Sequence, residues 1–120
     1  MRFVVVAVAG AAGALTRYSI GQLVGTRAFP WATFGINVTG SFALGLFLTL
    51  AAARGWSPDL IAGVGGGFLG AYTTYSTFTF DAVDLAHGDR LLAAAAYVVA
   101  SVVVGLAAAA LGWRLGRAWA

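Results

Sequence analysis

Apolar residues fill four long stretches of the chain, and short polar breaks separate them. The stretches cover approximately residues 3–24, 32–53, 60–80 and 91–113. Each is close to the ~20 residues with which a helix crosses a hydrocarbon layer of ~30 Å. The pattern predicts an all-α membrane protein with four transmembrane helices, in one domain of residues 1–120.

The third stretch is the most unusual, because it is rich in residues that hold a helix poorly. Residues 65–80 read GGGFLGAYTTYSTFTF, in which glycines precede a run of hydroxyl and aromatic side chains. We expect a third helix of about residues 60–86 that is broken mid-membrane near residues 73–77. Broken backbone survives in a bilayer only inside protein or along a cavity, where its carbonyls can coordinate a cation and its amides can meet an anion. A Ser/Thr-rich helix interface is the alternative interpretation.

Composition excludes several classes of function. Of the 120 residues, 61% are hydrophobic and 9% are charged, which is far from the roughly 25% charged residues of a soluble domain, so a soluble enzyme is excluded. The chain has no cysteine, and its one histidine, His87, cannot form a multi-histidine metal site. The seven basic residues are scattered arginines, without the clustered stripe of a nucleic-acid-binding protein.

The arginines give only a weak signal for orientation in the membrane. Four crossings place both termini on one side, with four arginines there against three on the other side if Arg17 is counted with the latter. Such a chain can insert in either direction, and an antiparallel two-fold dimer is then possible. The N-terminal apolar run superficially resembles a signal peptide, but we expect it to stay as the first helix.

Few polar side chains lie within the predicted spans. No carboxylate lies at mid-membrane depth, which argues against a proton-driven multidrug transporter. Arg17 either reaches the headgroups or borders an aqueous vestibule. Asn37 either bonds a neighbouring helix or donates to an anion in transit.

Two further pairs of residues have helical spacing. Tyr75 and Phe78 would place their rings on one face, where positively polarised ring edges could guide an anion, although core packing is the simpler interpretation. Tyr97 and Ser101 have i, i+4 spacing and would form a short polar track or one interhelical hydrogen-bond pair.

Taken together, these motifs resemble the Fluc/CrcB family of small dual-topology fluoride channels along essentially the whole chain. The matching motifs are Gly10-x-x-Gly13-x-x-x-Arg17-Tyr18, Asn37-x-x-Gly40-Ser41-Phe42, GFLGAYTTYSTF over residues 67–78, and Tyr97-x-x-x-Ser101. The third of these motifs is highly specific.

The resemblance implies a fluoride-specific channel of the cell (inner) membrane that exports fluoride passively. It also implies an antiparallel homodimer and a central structural Na⁺ held by the carbonyls of Gly70 and Thr73. It places Arg17 at a vestibule or in a structural role. The fluoride pathway that it implies comprises Asn37, Tyr75, Ser76, Thr77, Phe78, Tyr97 and Ser101.

The chain departs from the family pattern at two positions. Tyr75 stands where phenylalanine is usual, and Ala71 stands where glycine is common. The Tyr75 hydroxyl could bond the anion or obstruct it. A non-conducting partner subunit of a heterodimeric channel is therefore the main alternative function, and a small multidrug-type transporter is a more distant one.

Overall fold

The computed structural model describes residues 1–120, which form helices and connecting turns only, so the all-α prediction is confirmed. In chain order the elements are α1 (Arg2–Val24), α2 (Trp31–Arg54), α3 (Pro58–Ile61), a π-helix (Ala62–Leu69), α4 (Gly70–Tyr72), α5 (Tyr75–His87) and α6 (Leu91–Ala118). Three of them, α1, α2 and α6, are long and apolar enough to cross a membrane. The shorter pieces from residue 58 to residue 87 coincide with the predicted third span, and we call them the third traversal; that they cross the membrane stays a prediction. The chain is a multi-pass membrane protein.

Helix α6 is longer than the apolar pattern predicts. The pattern ends near residue 113, whereas the helix continues to Ala118. Its extra turn carries Arg114 and Arg117, and the Arg117 guanidinium lies 4.9 Å from the centroid of the Trp113 ring. The helix therefore continues past the apolar pattern into a turn that carries arginine, a residue type that commonly flanks membrane spans.

The third traversal begins with an ordinary helix start and then widens. The Ser57 hydroxyl accepts a hydrogen bond from the Leu60 N–H at 3.3 Å, which caps α3. The π-helix that follows contains four glycines and packs along α1. At Gly13 of α1 an added Cβ would overlap the Phe68 carbonyl, so this glycine is needed for the close approach of the two backbones. The sequence pattern gave no indication of the wider helix.

The break in the third traversal is two residues long. Thr73 (ψ 159°) and Thr74 (φ −150°, ψ 114°) have extended backbone, and α5 begins at Tyr75. The expected break over residues 73–77 is therefore too long, since Tyr75, Ser76 and Thr77 form the first turn of α5. The reason is the side chain of Thr74, whose Oγ1 accepts a hydrogen bond from the Thr77 N–H at 3.2 Å and restarts the helix.

Helix packing buries few residues and leaves most large apolar side chains exposed. Helix α2 packs along α6, and α5 packs on the first half of α6. Only 14 of 120 residues are buried, with a small core of Leu85, Ala94 and Tyr97. Apolar faces this extensive suit contact with lipid or with another subunit.

Candidate functional site

The side-chain amide of Asn37 holds the break in place. Its Oδ1 accepts a hydrogen bond from the Thr74 N–H at 2.8 Å, and its Nδ2 donates to the Thr74 carbonyl at 3.0 Å. One amide thus pairs both main-chain groups of a residue that has left the helix. Gly40, one turn further along α2, is buried where its missing Cβ makes room for the Thr73 methyl. The motif Asn37-x-x-Gly40 is therefore the surface of α2 that receives the break.

Arg17 contacts the other side of the same segment. Its Nε donates a hydrogen bond to the Ala71 carbonyl at 3.0 Å, and the side chain is half-buried. Arg17 also lines a cavity of about 180 Å³ together with Thr33, Thr74 and Thr77. The structure therefore directs this arginine inward to the third traversal, rather than outward to the lipid headgroups.

Two main-chain oxygens near the break lack the donors that a continuous helix would supply. The Thr73 carbonyl accepts no main-chain hydrogen bond. The Thr74 N–H, which would ordinarily donate to the Gly70 carbonyl, donates to Asn37 instead. Main-chain carbonyls are the oxygen ligands that hard cations accept. The chemistry of Gly70 and Thr73 thus fits the cation site that the family resemblance implies.

Three aromatic rings form a continuous row from the break to α6. The Tyr75 and Phe78 ring centroids are 6.0 Å apart, as their spacing predicts, and the Phe78 and Tyr97 centroids are 5.2 Å apart in an edge-on arrangement. Tyr97 is fully buried, whereas Tyr75 is 78% exposed. The row therefore leads from the outer surface of the chain to its small core.

The hydroxyl groups of the predicted track have different surroundings. The Tyr97 hydroxyl donates to Asp81 Oδ2 at 3.3 Å. The Ser101 hydroxyl is buried and has no hydrogen-bond partner in the chain. Ser76 and Thr77 lie at the start of α5, where the Ser76 hydroxyl is 3.4 Å from that of Thr74. The two α6 hydroxyls are thus not bonded to each other, and Ser101 retains an unused donor.

A cavity of about 230 Å³ brings several of these residues together at the surface of the break. Its lining includes Asn37, Ser41, Thr73, Thr74, Tyr75 and Phe78. Tyr97 and Ser101 lie outside the lining, and Phe78 connects the cavity to Tyr97. The arrangement brings the polar groups of Asn37, Thr73 and Thr74 to a small, mostly apolar recess that also contains the Tyr75 and Phe78 rings.

Comparison with known proteins identifies the family. Residues 4–113 match the family model described as "CrcB-like protein, Camphor Resistance (CrcB)". The chain belongs to the CrcB family. Its CrcB relatives include a protein of Symbiobacterium thermophilum called "Fluoride-specific ion channel FluC 1", which is 46% identical over 97% of this chain and 98% of its own length.

Other CrcB relatives carry similar names. A Rhodococcus jostii protein called "Fluoride-specific ion channel FluC 2" is 47% identical over 96% of this chain and 98% of its own length. A Clostridium acetobutylicum protein of the same name is 37% identical over 98% of this chain and 96% of its own length. The similarity therefore covers all of the elements that surround the break.

Two residues that the sequence reasoning missed belong to this CrcB site. Thr74 supplies the main-chain groups that Asn37 binds, and its hydroxyl caps α5. Asp81 accepts a hydrogen bond from the Tyr97 hydroxyl. The spacing of Thr74 and Thr77 is a helix-capping pattern, and Asp81 lies three residues beyond Phe78 on the same helical face. Both spacings can be seen in the sequence. Because the segment contains several threonines, however, the sequence alone does not show which hydroxyl caps the helix.

Proposed function

We propose that this CrcB protein is a fluoride-specific ion channel of the cell (inner) membrane that lowers cytoplasmic fluoride by passive export. It would not be an enzyme. The observation that carries the proposal is the fluoride-channel name that the relatives carry, at 37–47% identity over nearly the whole chain. The extended backbone at Thr73 and Thr74 supports it, because non-helical backbone at membrane depth is typical of ion pathways.

Fluoride would move along the residues that the family resemblance assigned. Asn37 uses one Nδ2 hydrogen for the Thr74 carbonyl, and the second hydrogen is available to an anion. The unpartnered Ser101 hydroxyl is a second free donor. Ser76 and Thr77 would add hydroxyl groups at the break. Closely spaced donors of this kind can replace the water of a small, strongly hydrated anion, whereas larger chloride would fit poorly.

The aromatic row would carry the anion between these donors. The edges of the Tyr75 and Phe78 rings bear partial positive charge without a full charge that would trap the ion. Tyr97 would contribute its ring edge in the same way, because its hydroxyl hydrogen is directed to Asp81. Phe78 contacts both tyrosines and is therefore the ring on which a continuous path depends.

The proposed assembly is an antiparallel homodimer, with a heterodimer as the alternative. The extensive exposed apolar surface supports partners within the membrane. The Gly70 and Thr73 carbonyls would hold Na⁺, a hard cation that would join the two breaks electrostatically. Within each chain, Asn37 and Arg17 would keep these carbonyls in position through Thr74 and Ala71.

Export needs no coupled energy source under this proposal. A membrane potential that is negative inside is worth about 2.3 kcal/mol per charge per 100 mV for an anion that leaves the cell. No carboxylate lies in the three long helices α1, α2 and α6, and Asp81 lies in α5 beyond the break. Proton coupling therefore has no obvious mid-membrane group in this chain.

Fluoride efflux from liposomes tests the proposal directly. Purified protein in liposomes loaded with fluoride should release it, as measured by a fluoride electrode, while chloride-loaded liposomes release little. The Asn37→Asp and Phe78→Ile variants should reduce fluoride efflux at unchanged protein content. Equal fluoride and chloride release, or no release with sodium on both sides, would contradict the proposal.

A non-conducting partner subunit is the second candidate, and the exposed Tyr75 favours it. Tyr75 lines the recess and is 78% exposed, so its hydroxyl could obstruct the path there. A Tyr75→Phe variant that conducts where the unchanged chain is silent would support this alternative. Efflux from the unchanged chain alone would exclude it.

A further inference from the structure

The side chain of Tyr72 joins the end of α4 to helix α2, immediately before the break. Its hydroxyl oxygen lies 2.9 Å from Thr39 Oγ1. Thr39 has one hydroxyl hydrogen, which it donates to the main-chain carbonyl of Gly35 at 2.7 Å. Tyr72 is therefore the donor of the bond that the two hydroxyls share, and Thr39 is its acceptor. The result is a chain of hydrogen bonds from Tyr72 through Thr39 to the main chain of α2.

The ring of Tyr72 packs beside both the π-helix and α2. It is stacked with the Phe68 ring, with centroids 6.1 Å apart and planes within 9° of each other. It also lies next to Gly40 of α2, where an added Cβ would be 3.2 Å from Tyr72 Cδ1. Packing thus places the ring, and the hydroxyl bond fixes its polar end on α2.

Tyr72 lies between the two main-chain oxygens that lack helical donors. The Gly70 carbonyl loses its usual donor, and the Thr73 carbonyl accepts no main-chain hydrogen bond. The side chains of Arg17 and Asn37 bind main-chain groups of the residue before Tyr72 and of the residue after Thr73. The hydroxyl of Tyr72 therefore adds a third attachment, located between the other two in the sequence.

The surroundings of the two hydroxyls favour their bond. Both lie at the surface of the chain, on helices that carry extensive apolar faces. A hydroxyl group without a partner is costly in an apolar environment. In contact with lipid or with an apolar face of another subunit, the bonded pair of Tyr72 and Thr39 is therefore favoured over separated hydroxyls.

We propose that Tyr72 and Thr39 are a positioning pair that sets the affinity of the Gly70 and Thr73 carbonyls for Na⁺. The inference rests on the cation site of the proposed function. The pair supplies no ligand of its own and acts through the backbone between the two carbonyls. Ordering that backbone before a cation binds lowers the entropy cost of binding.

The sodium dependence of thermal stability tests the pair. Tyr72→Phe removes the hydroxyl and keeps the ring. The full-length protein is purified in N-methylglucamine chloride, its sodium content is measured by atomic absorption, and its melting temperature is followed as sodium chloride replaces that salt at constant ionic strength without fluoride. Stabilisation by a ligand of the native state depends on its concentration relative to its dissociation constant, so the curve gives that constant for sodium.

We expect the dissociation constant for sodium to be higher in Tyr72→Phe than in the unchanged chain. The net contribution of one neutral hydrogen bond corresponds to about a 2- to 10-fold change in a binding constant, which is the increase expected here. Tyr18→Phe is the matched control, because it removes the same atom from a tyrosine of α1 that is 65% exposed and has no hydrogen bond to α2 or to the break. Its dissociation constant should equal that of the unchanged chain.

Variants of Thr39 examine the other half of the pair. Thr39→Val removes the acceptor and should raise the dissociation constant as Tyr72→Phe does, whereas Thr39→Ser keeps the acceptor and should leave the constant unchanged. The double variant Tyr72→Phe, Thr39→Val should show no larger increase than either single variant, because all three lack the same bond. Increases that add in the double variant would overturn the pairing.

A bond with a general structural role gives a different result. It would lower the melting temperature of Tyr72→Phe equally at every sodium concentration and leave the dissociation constant unchanged, which would overturn the proposal while the cation site stands. An unchanged chain that neither retains sodium nor responds to it would overturn the cation site and the positioning pair together. Fluoride efflux from the same preparation then shows separately whether the channel function stands.

Discussion

Two adjoining parts of the third traversal are held by different kinds of contact. The π-helix lies against α1 through positions where side chains are missing, such as Gly13 opposite Phe68, and Gly67, whose added Cβ would lie 2.9 Å from the Val6 carbonyl oxygen. The break that follows is held by side chains that reach it, Asn37 from α2 and Arg17 from α1.

The difference shows how one segment can combine rigidity with exposed polar backbone. Glycine contacts let two backbones meet and leave the intrahelical hydrogen bonds intact, so no polar group is offered to an ion. At the break, the amide of Asn37 replaces helical partners for Thr74 only, and the Thr73 carbonyl remains free. Steric fit thus fixes the position of the traversal, and selective hydrogen bonding decides which polar atoms stay available.

The largest expected effect is at the glycine contact. Gly13→Leu would force side-chain atoms into the Phe68 carbonyl, and overpacking costs about 1–3 kcal/mol or more where backbone must move. We expect little monodisperse protein in detergent and a strongly lowered melting temperature. Gly21→Leu is the matched control in the same helix, because nothing lies within 4 Å of an added Cβ there. Equal stability of the two variants would contradict steric fixing of the traversal.

The next largest effect is at the amide that holds the break. Asn37→Leu leaves the Thr74 N–H and carbonyl without this partner, and because both groups are only part-buried we expect a total cost at the lower end of about 1–3 kcal/mol. Thermal unfolding should show the loss, and hydrogen exchange should speed up at Thr74.

Asn37→Asp serves as the graded variant at that site. Its carboxylate still accepts from the Thr74 N–H and loses only the donor to the carbonyl, so exchange at Thr74 should stay slower than in Asn37→Leu. Identical exchange at Thr74 in all three proteins would show that Asn37 does not hold the break.

A smaller effect is expected at the cap that restarts the helix. Thr74→Val removes the hydroxyl that accepts from the Thr77 N–H, and loss of such a cap costs about 1 kcal/mol. Exchange should increase at Thr77 more than at Thr74. Thr74→Ser keeps the hydroxyl and should behave like the unchanged chain, whereas a loss in both variants would point to the methyl group instead.

The smallest effect is expected at the ion pair between the start of α1 and α3. Arg2 and Asp59 are 60% and 49% exposed in their side chains, so their contact contributes at most about 1 kcal/mol and weakens with salt. Arg2→Gln should shift the melting temperature far less than Asn37→Leu, and 1 M salt should remove the remaining difference. A shift comparable with that of Asn37→Leu would show that this exposed contact matters as much as the break.

The sequence predicted the composition of the break better than its geometry. The poor helix formers predicted a break near residues 73–77. The structure limits the break to Thr73 and Thr74, where Asn37 of α2 binds the Thr74 N–H. The π-helix was not predicted, because its width depends on packing against α1, and glycine runs suit several helix types.

Long-range partners explain the rest of the difference. The i, i+3 spacing of Tyr75 and Phe78 was sufficient to predict neighbouring rings, because both residues share one helix. The pairing of Asn37 with Thr74 joins residues 37 positions apart, and that of Arg17 with Ala71 joins residues 54 apart. Local patterns identified these polar residues as costly in a bilayer but left their partners open.

The double hydrogen bond of Asn37 also limits how this protein can be engineered. The Asn37 side chain of α2 takes the place of main-chain partners for Thr74 in the third traversal. A chimera that exchanges only one of these two segments therefore puts this pair of hydrogen bonds at risk. Chimeras would best be cut after His87, so that α1, α2 and the third traversal come from the same parent.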